Sequence, residues 1–156
     1  MSATDGWGEI GNWIEGVQEL CEQPDGTLRW YLNGLLHRTD GPAVEWADGT
    51  CEWYRNGKLH RDDGPAVERA SGIRVWYRNG EVHREDGPAI EGAKGRVWYL
   101  NNRVHRADGP AVECADGTRE WWLNDLRHRT DGPAVEHADG GCEWWIHGER
   151  IDGPID

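Results

Sequence analysis

The chain has 156 residues, of which 25 are Leu, Ile or Val and none is Phe, against 11 Trp and 22 Gly. Seventeen basic and 29 acidic side chains leave a net charge of −12, which excludes polyanionic nucleic acid and anionic membranes as partners of the surface as a whole. So few branched aliphatics would ordinarily signal disorder. The tryptophans bury large areas each and the turn residues agree with the strand pattern, so the chain reads as folded but thinly cored.

Residues 1–24 stand apart as an N-terminal cap segment. Asn12 to Cys21 reads as a short amphipathic helix with Trp13, Val17, Leu20 and Cys21 on one face. Asn12 and Glu15 form its capping box, and Pro24 ends it. The alternative is a degenerate first repeat that begins at Asp5-Gly6.

Residues 25–156 form a repeat domain. Trp30, Trp53, Trp76, Trp98, Trp121 and Trp144 mark six copies spaced by 23, 23, 22, 23 and 23 residues, and a fixed period of this length signals a repeat architecture. Within a copy, Trp53-Tyr54-Arg55 and Lys58-Leu59-His60 alternate around Asn56-Gly57, a hairpin signal because a type I′ turn needs two residues with positive φ. Asn33-Gly34, Asn79-Gly80, Asn101-Asn102 and Asn124-Asp125 occupy the same place. The register puts Trp53 opposite His60, Tyr54 opposite Leu59, and Glu52 opposite Arg61 as a cross-strand ion pair.

A second reversal lies at Asp48-Gly49, where a primed turn is expected between Ala43-Val44-Glu45 and Cys51-Glu52-Trp53. The copy ending in Gly95-Arg96-Val97-Trp98 is one residue shorter, and a one-residue shift exchanges the faces of a strand. Asp63-Gly64-Pro65 recurs in all six copies and reads as a bend, since proline cannot donate to a ladder. The sequence thus predicts an all-β, elongated, single-layer antiparallel meander of about six repeats with a helical or irregular N-terminal cap. At two strands per copy and ~4.8 Å per strand it would be about 50–60 Å long.

Trp53-Tyr54-Arg55-Asn56-Gly57-Lys58-Leu59-His60 resembles the core of MORN repeats, and the resemblance extends over residues 25–156. Arg61 and Asp63-Gly64-Pro65 depart from the small Gly-x-Gly usual there. The pattern looks more like the variants in phage, giant-virus and bacterial proteins, some of them antitoxin-like. The resemblance implies an extended, curved sheet that binds partners, and no activity.

His37, His60, His83, His105 and His128 recur beside Asp40, Asp63, Asp86, Asp108 and Asp131. This invites metal binding or acid/base catalysis. Equivalent residues lie two strands, ~10 Å, apart, and every copy carries them, so packing of His between Trp residues is the expected role. No nucleophile set, phosphate loop or zinc spacing is present, and no cofactor is expected. Cys21, Cys51, Cys114 and Cys142 read as free thiols suited to a reducing cytoplasm. There is no signal peptide and no apolar run of membrane-spanning length.

Function is expected where copies differ: at Trp46, at Trp122 and Trp145 in place of Tyr, and at Arg127 in place of Leu or Val. The tips also differ, with Leu35 and Leu126 apolar and Arg55 and Arg78 charged. The reading is a non-enzymatic, cytoplasmic binding protein for a protein partner with a basic surface, or for a second copy of itself. An inhibitor or antitoxin-like role follows, with Glu45, Glu68, Glu91, Glu113 and Glu136 standing in for phosphates. The alternative is a small-ligand binder that traps a nucleotide or sugar against Trp and Arg.

Overall fold

The computed structural model describes residues 16–154, and among them every regular element is a strand. Fourteen strands make one antiparallel sheet in which neighbours follow one another along the chain, so the fold is the elongated meander predicted.

Each copy contributes two hairpins. The tip hairpin closes on two left-handed residues: φ is 50° and 75° at Asn56 and Gly57, 50° and 62° at Asn101 and Asn102, and 49° and 66° at Asn124 and Asp125. These are the residue types that visit that region most easily. The tryptophan of each copy is where a strand changes partner. Trp53 N–H donates to the Ala66 carbonyl at 2.8 Å, while the Trp53 carbonyl accepts His60 N–H at 3.0 Å. Before Trp53, Cys51–Glu52 pairs with Val44–Glu45 and Val67–Glu68 in the main sheet; after it, Tyr54–Arg55 pairs with Lys58–Leu59 in the tip. Tips are tied to one another by backbone bonds such as Gly57 N–H to Leu36 O and Gly80 N–H to Leu59 O, both 2.8 Å.

The pairing sorts the faces, because residues opposite one another on antiparallel strands share a face. Trp53 shares one with Ala66, and the equivalent alanines Ala43, Ala89, Ala111 and Ala134 are, like it, fully buried. Val44, Val67, Val75 and Val135 are buried on the other face. There the second aromatic of the tip leans back over the sheet, with Tyr54 hydroxyl donating to Glu52 and the Trp122 and Trp145 indoles donating to Glu120 and Glu143 at 2.8–3.1 Å. Burial and then the Glu52 charge push the Tyr54 phenol up to about 12, so it stays a donor.

Three expectations are corrected. The helix placed over 12–21 lies outside the described residues as far as Glu15, and beyond it Gln18–Glu22 is a strand paired with Leu28–Leu32. Gln23 N–H donates to Thr27 O at 2.8 Å and Gly26 N–H to Gln23 O at 2.9 Å, the same closure as Trp46 to Thr50 and Gly49 to Trp46. A ready partner strand outweighs a weak helical pattern, and the sheet therefore crosses the boundary placed at residue 24.

The Asp48-Gly49 reversal is not a primed turn. Only Gly49 is left-handed, at φ 89°, and it follows a type I turn in the three-residue hairpin that carries a bulged glycine. Asp48 stays in the ordinary region because its carboxylate caps Thr50 N–H at 2.8 Å. In the shorter copy the missing residue comes from this turn and not from a strand. Ile90 faces Val97 and Glu91 faces Arg96, as Val67 faces Val75 and Glu68 faces Arg74, so no face is exchanged.

Candidate functional site

The Arg of each His-Arg pair organises the bend after it. Arg61 lies 4.1 Å over the Trp53 ring, and its fork donates to Asp63 at 2.9 Å, to the Pro65 carbonyl at 3.3 Å and to Glu68 at 3.1 Å. Arg38, Arg84, Arg106 and Arg129 sit 3.9–4.2 Å over Trp30, Trp76, Trp98 and Trp121 in the same way. Guanidinium suits both the flat ring and the forked acceptors. The glycine of the bend leaves room for it: a Cβ on Gly64 would stand 3.0 Å from Arg61 Cζ, and one on Gly132 2.8 Å from Arg129 Cζ.

This bracket bears on three expectations. Glu52 does not pair with Arg61, because the chain leaves the hairpin at His60 and Arg61 N–H turns to Tyr77 O of the next copy. The Trp faces carry guanidinium and not imidazole. The recurrent Glu row is half-compensated, since Glu45, Glu68, Glu91, Glu113 and Glu136 each lie within 3.5 Å of a bracket arginine that they share with a bend aspartate.

The histidines instead join one copy to the next. Turn N–H groups of Asn56, Asn79, Asn101 and His147 donate to Nδ1 of His37, His60, His83 and His128 at 3.0–3.3 Å. At His60 and His128 Nδ1 only accepts, which places the proton of the neutral ring on Nε2, whereas Nδ1 of His37, His83 and His105 also lies 2.7–3.0 Å from the Oδ1 of Asn56, Asn101 and Asn124. In the last junction a left-handed His147, φ 48°, replaces Asn and its ring lies 4.3 Å from His128. Burial and then the His147 charge lower the pKa of His128 from its ordinary 6.5. The unfolded chain therefore binds more protons, so this junction is fully stable above pH 6.5 and weakens as pH falls through that value. His147→Asn should stabilise the last copy by about 1 kcal/mol, since Asn tolerates the left-handed region. Hydrogen exchange of the last tip should lose the part of its acid sensitivity that the His147 charge contributes, while burial of His128 keeps the rest; an unchanged pH dependence would show that the two rings do not interact.

Between successive Asp-Gly-Pro bends, on the Trp face, lie four clefts of 490, 610, 520 and 550 Å³ in chain order. Each has a histidine in its wall: His60, His83, His105 and His128. The bend aspartates Asp40, Asp63, Asp86, Asp108 and Asp131 form the rims, with side chains 76–84% exposed. Hydrogen bonds from the bracket arginines hold these carboxyls below their ordinary range, so the rims are a row of negative charge.

The clefts differ at one tip residue and the residue seven positions later. The first two hold Arg55 with Asp62 and Arg78 with Glu85, paired at 2.8 and 3.2 Å. The last two hold Leu100 with Ala107 and Leu123 with Thr130. His60 and His83 spend Nε2 on the acids, at 2.9 and 3.3 Å. Nε2 of His128 has no partner among the described residues.

Of the residues expected to bind, Arg55 and Arg78 fall in neighbouring clefts. Trp122, Arg127 and Trp145 come together on the opposite face, Arg127 5.1 and 5.3 Å from the two rings and salt-bridged to Glu120 at 3.2 Å. Leu35 and Leu126 lie against the turn glycines of the next copies, Gly57 and Gly148. Trp46 is remote from all of them, on an Asp-Gly turn, 5.5 Å from the Arg29 guanidinium. The coupled choice at 62, 85, 107 and 130 was missed, although aligning the copies on Trp exposes it as Arg with acid and Leu with Ala or Thr.

Among the described residues, no three His, Cys, Asp or Glu side chains are grouped to hold a metal ion, and no helix is long and apolar enough to cross a membrane. Burial and neighbouring carboxylates push the Cys51 and Cys114 thiols up, which makes them poor nucleophiles. Compared with known proteins, the chain matches no family model, and no curated protein matches it.

Proposed function

We propose that this chain is a non-enzymatic binding scaffold that presents its row of clefts to a basic segment of another protein, as an inhibitor or antitoxin-like protein would. The observation that carries the reading is the coupled variation of one residue pair per cleft on an unchanged frame (Arg55 with Asp62, Arg78 with Glu85, Leu100 with Ala107, Leu123 with Thr130). A scaffold held only by packing has no need of such variation, whereas a surface that reads an irregular partner does. Each bracket arginine faces two carboxylates, an exposed rim Asp and a Glu, so every copy keeps one negative charge in excess, and this gives the electrostatic attraction. The resemblance to MORN repeats points the same way.

The test is capture from native host lysate by the full chain and by an Ala107→Arg, Thr130→Arg variant, both changes at exposed positions. A protein held by the parent, released by added salt and lost by the variant supports the proposal. Identical captured sets would sink it. So would quenching of Trp fluorescence by small metabolites with no protein retained, which is the outcome a nucleotide or sugar trap requires.

A further inference from the structure

The spacing of the clefts carries a more specific inference, which rests on the protein-binding reading above. Equivalent clefts are separated by two strands, or ~9.6 Å at ~4.8 Å per strand. A polyproline II helix advances ~9.3 Å in one turn of three residues. Its every third side chain therefore returns to the same side at nearly the interval of the clefts, and the mismatch over three intervals is only ~1 Å. An extended β-strand turns alternate residues to opposite sides, so at three residues per cleft it would address only every second one.

The chemistry of the row agrees. Leu100 with Ala107, and Leu123 with Thr130, leave two adjacent clefts without the Arg–acid pair that occupies the first two, each with a leucine in its wall. In the second of these the His128 Nε2–H is a donor without a partner. A polyproline II backbone makes no internal hydrogen bonds and offers its carbonyls outward, so such a donor has an acceptor to meet. The rim aspartates each give one oxygen to a bracket arginine and leave the rest of the carboxylate to solvent. A basic side chain lying across the rim would meet negative charge at every copy, with its aliphatic stem on the cleft wall.

We propose that the row takes a proline-rich basic segment of its partner in the polyproline II conformation, three residues per copy. Prolines fill the two clefts that lack an Arg–acid pair, against Leu100 and Leu123, and basic side chains reach the aspartate rims. The first two clefts, closed by their own Arg–acid–His sets, meet only the basic side chains.

The test compares two labelled peptides of identical composition on the full chain: four Pro-Pro-Lys triplets, and the same residues with the lysines gathered at both ends. The triplet peptide should bind at least about tenfold more tightly through simultaneous engagement. That advantage should vanish in the variant Leu100→Arg, Ala107→Asp, Leu123→Arg, Thr130→Asp, which installs in the last two clefts the Arg–Asp pair native to the first. Circular dichroism of the variant should match the parent, because each change copies a pair the repeat already accommodates. Equal affinity of the two peptides would show that charge alone attracts them and overturns the proposal, as would no binding of either. Lysate capture that depends on the clefts, together with failure of the triplet peptide, would remove this inference and leave the scaffold reading standing.

Discussion

Gly95→Ala is expected to lower stability by more than about 3 kcal/mol, against about 1–2 for Gly49→Ala or Gly117→Ala. All three glycines have positive φ, but the reasons they are needed differ. Gly49 and Gly117, at 89° and 97°, have nothing within 4 Å of where a Cβ would stand, so only the backbone term is lost. Gly95 is at 135°, a region essentially closed to other residues, and its Cβ would collide with the Glu113 carbonyl and lie 2.9 Å from Cys114 Cα. Those atoms are the backbone of the next strand and cannot turn aside. Urea unfolding of the three variants settles the order; equal midpoints would mean that the strand carrying Glu113 moves freely.

The second large effect is cooperative. Arg84→Ala removes the guanidinium over Trp76 and its bonds to Asp86, Pro88 O and Glu91, with an expected loss of about 2–4 kcal/mol. Gly87→Ala should lose about 1–3 kcal/mol by overpacking, because its Cβ would sit 2.9 Å from Arg84 Cζ. In the Arg84→Ala background that collision is gone and Gly87→Ala should be nearly neutral. The double-mutant cycle should therefore give a coupling of at least about 1 kcal/mol. Additive effects would show that Gly87 serves the bend itself and not the arginine.

The same pair marks where sequence reasoning stops. The Asn-Gly turns were legible because left-handed φ is a property of two adjacent residues, and those turns fix the register of Trp53 and Tyr54. The Asp-Gly-Pro bend was legible as a bend. The purpose of its glycine was not, because the atom that needs the space is three residues away and arrives only once Arg61 has left the strand. The Glu52–Arg61 pair failed for a related reason: extrapolating the hairpin one residue past His60 misses that the chain has already moved to the next copy. At Gln18–Glu22 the local pattern allowed helix, and a strand partner beyond the Asp25-Gly26 turn decided otherwise. Among the site residues, Arg55 and Arg78 stood out by their tips. The cleft pairs became visible only when positions seven apart were brought to one place.

The junctions between copies also have a direction. Every copy but the last offers a histidine Nδ1 on its C-terminal side to the turn of the next copy, which meets it with a backbone N–H or, at His105, with the Asn124 side chain, so copies join in only one order. The last has Ile151 facing Trp144 where its predecessors have histidine facing tryptophan, so it can receive a neighbour before it and has no such acceptor for one after it. Length is then a countable quantity that changes in whole units. Excising one internal copy brings a histidine and a turn donor of the right kind together at the new seam, and the reach of the surface shortens by one step without redesign of what remains.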